Sequence, residues 1–335
     1  MTDVTRLPVN FGGLDPANST YESSHVVFLP IPFEATTTYR AGTREGPGAI
    51  LRASRAMELY DEELDVEPYL LGLHTMEEVE LSRLSFETAH RQVEELVREL
   101  LAAGKFPVLL GGEHSLSLGA VRACKAAYPD LSVVQLDAHA DLRDTYEDTR
   151  YSHACIARRI VEICPLVQVG IRSMSREEAD FLAGGDPWKG ESSVRAGTRR
   201  DNVVFAKEIV AGGAGTLPRK TRNARKHFSK DIIADAAPLA LPLSRLSHNV
   251  YVTIDLDVFD PSEMPAVGTP EPGGLSWFEV LCILRQVASN ANVVGFDVVE
   301  LCPLAGNIAP DFLAAKLIYK MLAYRFADTL RGARR

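Results

Sequence analysis

A chain of 335 residues that is 46% apolar can bury a large core, and its length allows one or two domains. The formal net charge of −9 argues against nucleic acid as a main partner and is compatible with a small cationic ligand. Five cysteines without CxxC spacing argue against a disulfide scaffold, and no apolar signal core or membrane-length apolar run is present. These features predict a soluble, cytoplasmic protein with small, buried, reduced cysteines.

Short apolar runs alternate with amphipathic stretches along the chain, the pattern of βαβ units around a mainly parallel sheet. The first predicted strand is His25–Pro30. A helix follows from Phe86 to about Ala103, because Phe86, Ala89, Val93, Leu96, Val97, Leu100 and Leu101 fall on one face, with Gly104 as its C-cap. Strands are then expected at Pro107–Leu110, Leu131–Leu136, Leu166–Ile171, Asn202–Ala206 and Val250–Ile254. Ser276 opens a helix through a capping box with Glu279. A strand at Asn292–Val298 precedes the last helix, Pro310 to about Ala327, which has proline in its first turn. No repeat or low-complexity tract interrupts this series, so residues 1–335 read as a single domain.

One region differs in composition. Asp186 to Lys230 carries eleven Lys/Arg against four acids, within a basic excursion around residues 186–247. Its basic residues lack interleaved aromatics, which favours a solvated surface or a subunit contact over a nucleic-acid site.

Ligands bind a parallel sheet at the carboxyl ends of its strands, and the polar residues gather there. PVLL leads to Gly-Gly-Glu-His114, VVQL to Asp137-Ala-His139-Ala-Asp141, VYVTI to Asp255-Leu-Asp257, and VVGFDVV to Glu300. Each alone has an ordinary reading as a turn, cap or core residue. Together, four carboxylates in one crevice would repel one another and drive their pKa values upward unless cations balanced them. Two divalent ions would do so and leave the histidines as neutral ligands. Mixed nitrogen and oxygen donors suit Mn²⁺, Fe²⁺, Co²⁺ or Zn²⁺ better than Ca²⁺ or Mg²⁺. Ions about 3.5 Å apart would bridge through carboxylates and a water made acidic enough to yield a nucleophilic hydroxide.

GGEHS, DAHADLRD, YSHA and TIDLDVFDP, in this order, resemble the ureohydrolases, the group of arginase and agmatinase. Asp255, Asp257, Asp260 and Pro261 match that family's D-x-D-x-x-D-P signature, and the likeness runs from about Val26 to Leu322. The resemblance implies a three-layer αβα sandwich around an eight-stranded, mainly parallel sheet with two Mn²⁺ ions per chain. By motif position His114 and Asp141 would ligate one ion, His139 and Asp257 the other, and Asp137 and Asp255 would bridge them. His153, Glu300 and Asp141 would be the catalytic residues, with Glu300 gripping a guanidinium and His153 shuttling a proton. A homo-oligomer, trimer or hexamer, is also implied.

The substrate expected from the resemblance is a small cationic guanidino compound. The segment before His153 lacks the Ser-Gly-Asn type sequence of arginases, whereas PIPFEATTTYRAGTREGPGAI and GTPEPGGLSW look like agmatinases. This implies hydrolysis of agmatine to putrescine and urea, with Glu147, Asp148 or Glu271 as candidate partners of the distal ammonium. Guanidinobutyrase, arginase or another amidinohydrolase is the alternative within the family. A one-zinc deacetylase-like amidohydrolase and a non-catalytic binding subunit are the alternatives outside it. Ala211–Leu246 departs from the family pattern by being longer and more basic than expected.

Overall fold

The computed structural model describes residues 8–81, 85–184, 200–213 and 241–333. Eight strands form one sheet: β1 (Val26–Ile31), β2 (Leu73–Thr75), β3 (Phe106–Gly111), β4 (Ser132–Leu136), β5 (Leu166–Ile171), β6 (Val203–Phe205), β7 (Asn249–Asp255) and β8 (Asn292–Val299). Their order is β2-β1-β3-β8-β7-β4-β5-β6, and every neighbouring pair is parallel. Seven were expected from apolar runs. The eighth, β2, is only three residues long, and pairing with β1 defines it rather than any pattern of its own.

Alternation along the strands divides the core into two faces. In β1, Val26 and Phe28 face one layer, and Val27, Leu29 and Ile31 the other. In β7, Val250, Val252 and Ile254 oppose Tyr251 in the same way. The first layer holds α1 (Gly46–Ser54), α6 (Ala206–Gly213), α7 (Trp277–Asn290) and α8 (Ala309–Ala333). The second holds α2 (Phe86–Ala102), α3 (Ser117–Ala127), α4 (Ile156–Val161) and α5 (Arg176–Leu182). The fold is a three-layer αβα sandwich.

Local signals behave as their chemistry demands. The Ser276–Glu279 capping box is formed, and Gly104 takes φ +71° just beyond α2. Helix α8 runs further than expected because Phe326 and Leu330, one turn apart, continue its buried face. All five cysteines are free and buried. Most of the basic excursion lies outside the described residues, but β6 and α6 fall within its bounds and belong to the sheet and its covering layer. Among the described residues no helix is long and apolar enough to cross a membrane.

Candidate metal centre

The strands that deliver the polar residues, β3, β8, β7 and β4, are the four contiguous strands at the middle of the sheet. Chain order hides this, because β7 and β8 insert between β3 and β4. Beyond β3 the chain turns at Gly112, where an added Cβ would lie 1.9 Å from the Phe33 carbonyl oxygen. Only glycine permits that approach, and it delivers His114 over the strand ends. The run after β4 is held by β5: Arg172 and Ser173 donate backbone N–H bonds to Ala138 O, and Ala140 donates to Ser173 O. The Arg172 guanidinium reaches across to the backbone oxygens of Asp257, Val258, Phe259 and Glu271.

Two three-donor groups result, His114/Asp137/Asp255 and Asp137/His139/Asp257, which share Asp137. His114 Nδ1 lies 3.1 Å from Asp137 Oδ2, 3.3 Å from Asp255 Oδ2 and 3.5 Å from Asp141 Oδ2. His139 Nδ1 lies 2.8 Å from Asp257 Oδ2 and 3.8 Å from Asp137 Oδ1. Asp141 therefore stands beside His114 without closing into either group, and Asp255 belongs only to the group that contains His114.

Three of the four carboxylates are aimed by a backbone N–H bond to Oδ1, and Asp137 Oδ2 also accepts from Gln135 Nε2 at 2.7 Å. Asp137 Oδ1 accepts from His139 N–H, Asp255 Oδ1 from Asp257 N–H, and Asp257 Oδ1 from Ala138 N–H. The second oxygen of each faces a histidine. His114 is aimed as well, through two residues that the sequence reading did not single out, Thr253 and Asp297. The Thr253 hydroxyl donates to Asp297 Oδ1 at 2.6 Å, so its oxygen can only accept from His114 Nε2–H at 2.9 Å. The lone pair of neutral His114 is thereby placed on Nδ1, a buried atom that makes no hydrogen bond and points among three carboxylates. This is the outer-partner arrangement that metal-ligating histidines use, and the donors fit two divalent ions. Asp297 is a carboxylate buried mid-strand in VVGFDVVE, which was a readable signal.

Without cations the electrostatics are those of crowding. Burial, with repulsion between the carboxylates, raises the pKa values of Asp137, Asp141 and Asp255. Burial opposes charge on His139, but Asp257 together with Asp137 and Asp141 outweighs it and lifts the imidazole to about 11.

One pocket opens onto this centre, lined by His114, His139, Asp141, His153, Asp255, Asp257 and Glu300 with Thr37, Thr38, Gly268 and Thr269. Glu300 is brought in as expected, with its Oε1 accepting from His114 N–H at 2.6 Å. Its backbone is left-handed at φ +66°, as is that of Asp141 at +52°. Such strain in non-glycine residues gathers at functional sites. Burial and the neighbouring Glu113 push the Glu300 carboxyl up to about 8. His153 lies under the Thr36–Thr38 loop, where burial and the nearby imidazoles of His139 and His114 hold it down at about 4.

The distal candidates separate. Glu147 and Asp148 sit exposed at the tip of a two-residue turn between Tyr146 and Thr149 and do not line the pocket. Glu271 is not among the lining residues but comes within 3.8 Å of His139 Nε2. Asp260 binds the N–H groups of Ser262, Gly273 and Gly274 and so organises a loop outside the pocket.

A parallel αβα sandwich carrying paired His/Asp clusters at its central strand ends defines a class of metal-dependent hydrolases. The chain belongs to the arginase family, whose model matches residues 24–188 and 220–323. It is 36% identical over 315 residues to an N(1)-aminopropylagmatine ureohydrolase of Synechocystis sp., covering 92% of this chain and 91% of that one. It is 32% identical over 300 residues to an agmatinase of Pyrococcus horikoshii, covering 88% and 90%. The crystal structure of an agmatine ureohydrolase of Thermoplasma volcanium superposes with a TM-score of 0.74 at 29% identity, covering 98% and 97%. Fold, donor clusters and family are those of a ureohydrolase-type amidinohydrolase.

Proposed function

We propose that this enzyme hydrolyses the guanidino group of agmatine, or of an agmatine extended at its distal nitrogen, to urea and the free amine. The observation that carries this reading is the presence of both His/Asp donor groups, Glu300 and His153 around one pocket. Two ions, taken to be Mn²⁺, would be held by His114, Asp137, Asp141 and Asp255 on one side and by Asp137, His139, Asp255 and Asp257 on the other. When bound they supply Lewis acidity and lower the pKa of water, so that a nucleophile is available near neutral pH.

The chain's own residues orient substrate and move protons. With Oε1 of Glu300 bonded to His114 N–H, Oε2 is left for the guanidinium, a planar cation that a carboxylate matches well. Water adds to the guanidino carbon and the C–N bond to the alkyl amine breaks. His153 donates the proton that the departing nitrogen needs. No Lys or Arg is among the described residues lining the pocket, so a substrate carboxylate would find no cationic partner there. This favours agmatine over arginine and guanidinobutyrate.

A second reading, N1-aminopropylagmatine as the substrate, is favoured by the names of relatives from Synechocystis sp. and Thermus thermophilus. Urea release from agmatine, N1-aminopropylagmatine, arginine and 4-guanidinobutyrate tests both. Higher kcat/KM for the two amine-ended compounds is expected, and their ratio chooses between the readings. Preference for arginine or 4-guanidinobutyrate would refute both.

A further inference from the structure

Glu113 is fully buried beside His114, and its carboxylate is engaged by the 35–36 segment and Ser115. Oε2 accepts from the N–H groups of Ala35 at 2.5 Å and Thr36 at 2.6 Å. Oε1 accepts from the hydroxyls of Ser115 at 2.5 Å and Thr36 at 2.8 Å. The Thr36 oxygen also meets two atoms of His153, the backbone N at 3.1 Å and ring Nδ1 at 3.0 Å.

A hydroxyl has one hydrogen and two lone pairs. A carboxylate oxygen can only accept, so the Thr36 hydrogen goes to Glu113. A backbone N–H can only donate, so it fills one lone pair. The remaining lone pair faces Nδ1, which must therefore carry a hydrogen. Ser152 Oγ is the longer contact of Nδ1 at 3.3 Å and already accepts from Ala154 N–H. Nε2 is left as the lone-pair nitrogen, reached by the Thr38 hydroxyl at 3.1 Å on the pocket wall.

We propose that Glu113, acting through the Thr36 hydroxyl, fixes the tautomer and orientation of His153 so that the pocket-facing Nε2 takes up and hands on the proton. Nδ1–H stays bonded to Thr36 in both protonation states, so the ring does not turn over during the cycle. Glu113 and Thr36 are positioning residues, and the inference rests on the proton-donor reading of His153.

The test has two parts. In protein carrying ¹⁵N-histidine and loaded with diamagnetic Zn²⁺, the His153 signals are assigned by difference from His153→Asn. At neutral pH, Nδ1 is expected at a protonated shift and Nε2 at an unprotonated one; the reverse pattern overturns the proposal without any substitution at Thr36. In the Mn²⁺ enzyme, Thr36→Val should lower kcat by about 10- to 100-fold, with KM and metal content per chain unchanged. Thr36→Ser, which keeps the hydroxyl, should recover most of that loss. Wild-type kcat in Thr36→Val, equal losses in both variants, or metal lost along with kcat would each overturn it. His153→Ala separates the two levels: retained turnover there removes His153 as proton donor, whereas lost turnover with an unaffected Thr36→Val removes only the inference.

Discussion

Two buried clusters of acids are balanced in opposite ways. Beside α8, Lys320 Nζ lies 3.0 Å from Asp61 and 3.2 Å from Glu63, while Arg285 reaches Glu63 at 2.8 Å. Tyr324 adds its hydroxyl to Glu63. Burial works against the Lys320 charge, but Asp61 and then Glu63 outweigh it and hold the pKa above the usual lysine value. That cluster carries its own cations. At the strand ends, Asp137, Asp141, Asp255 and Asp257 form ion pairs only with histidines among the described residues, and three of the four have raised pKa values. The chain places donors there and leaves positive charge to come from outside. Buried acids paired with Lys or Arg hold an element in place, whereas buried acids paired only with histidines make a receptor for metal.

The contrast predicts different consequences for each cluster. The largest effect belongs to Asp137, which both donor groups share. Asp137→Asn should lower metal occupancy at both sites together and abolish turnover, whereas calorimetry on the wild type should give two Mn²⁺ per chain. A single tight site untouched by the substitution would refute the shared centre. Glu300→Gln keeps shape but replaces the charge with donors that face the guanidinium's own donors. Its kcat/KM for agmatine should fall by about 10²–10³-fold, the scale of losing an aimed electrostatic contact, while both metals remain. Normal hydrolysis would move the guanidinium elsewhere.

At the other cluster, Lys320→Met should cost about 3 kcal/mol of unfolding free energy, because Asp61 would be left buried without its cation. Metal stoichiometry should be unchanged, and a denaturant titration alongside calorimetry checks both. The smallest effect is on pH. Most of the metal-free donors hold protons more tightly than usual: His139 is at about 11, and Asp137, Asp141 and Asp255 are raised, while Asp257 is held down at about 2 despite its burial, chiefly by His139. Metal must displace those protons, so protons compete more strongly as pH falls. The Tm increase given by Mn²⁺ should therefore shrink between pH 8 and pH 6; a constant or growing increase would contradict this account.

Much of this was readable in one dimension. Strands with apolar runs, such as Leu166–Ile171, and helices with caps, such as the one opened by Ser276, declare themselves because burial and terminal hydrogen bonding act over a few neighbouring residues. His114, Asp137, His139, Asp141, Asp255, Asp257 and Glu300 were also legible, since each closes or follows a strand and a parallel sheet puts all strand ends on one edge. Strand β2 was not, because Leu73-His74-Thr75 lacks the apolar run that marks the equally short β6, Val203–Phe205.

What only the tertiary structure decided concerns neighbours across the sheet and between loops. That β3 adjoins β8 and β7 adjoins β4 depends on pairing between segments more than a hundred residues apart, and that adjacency turns separate turn residues into one centre. The same holds for Asp297 behind Thr253 and for Glu113 behind Thr36, whose bonds span 44 and 77 positions of chain. A side chain's chemistry is written in its identity. Which nitrogen of a histidine bears the proton depends on the partner beyond it, and folding alone supplies that partner.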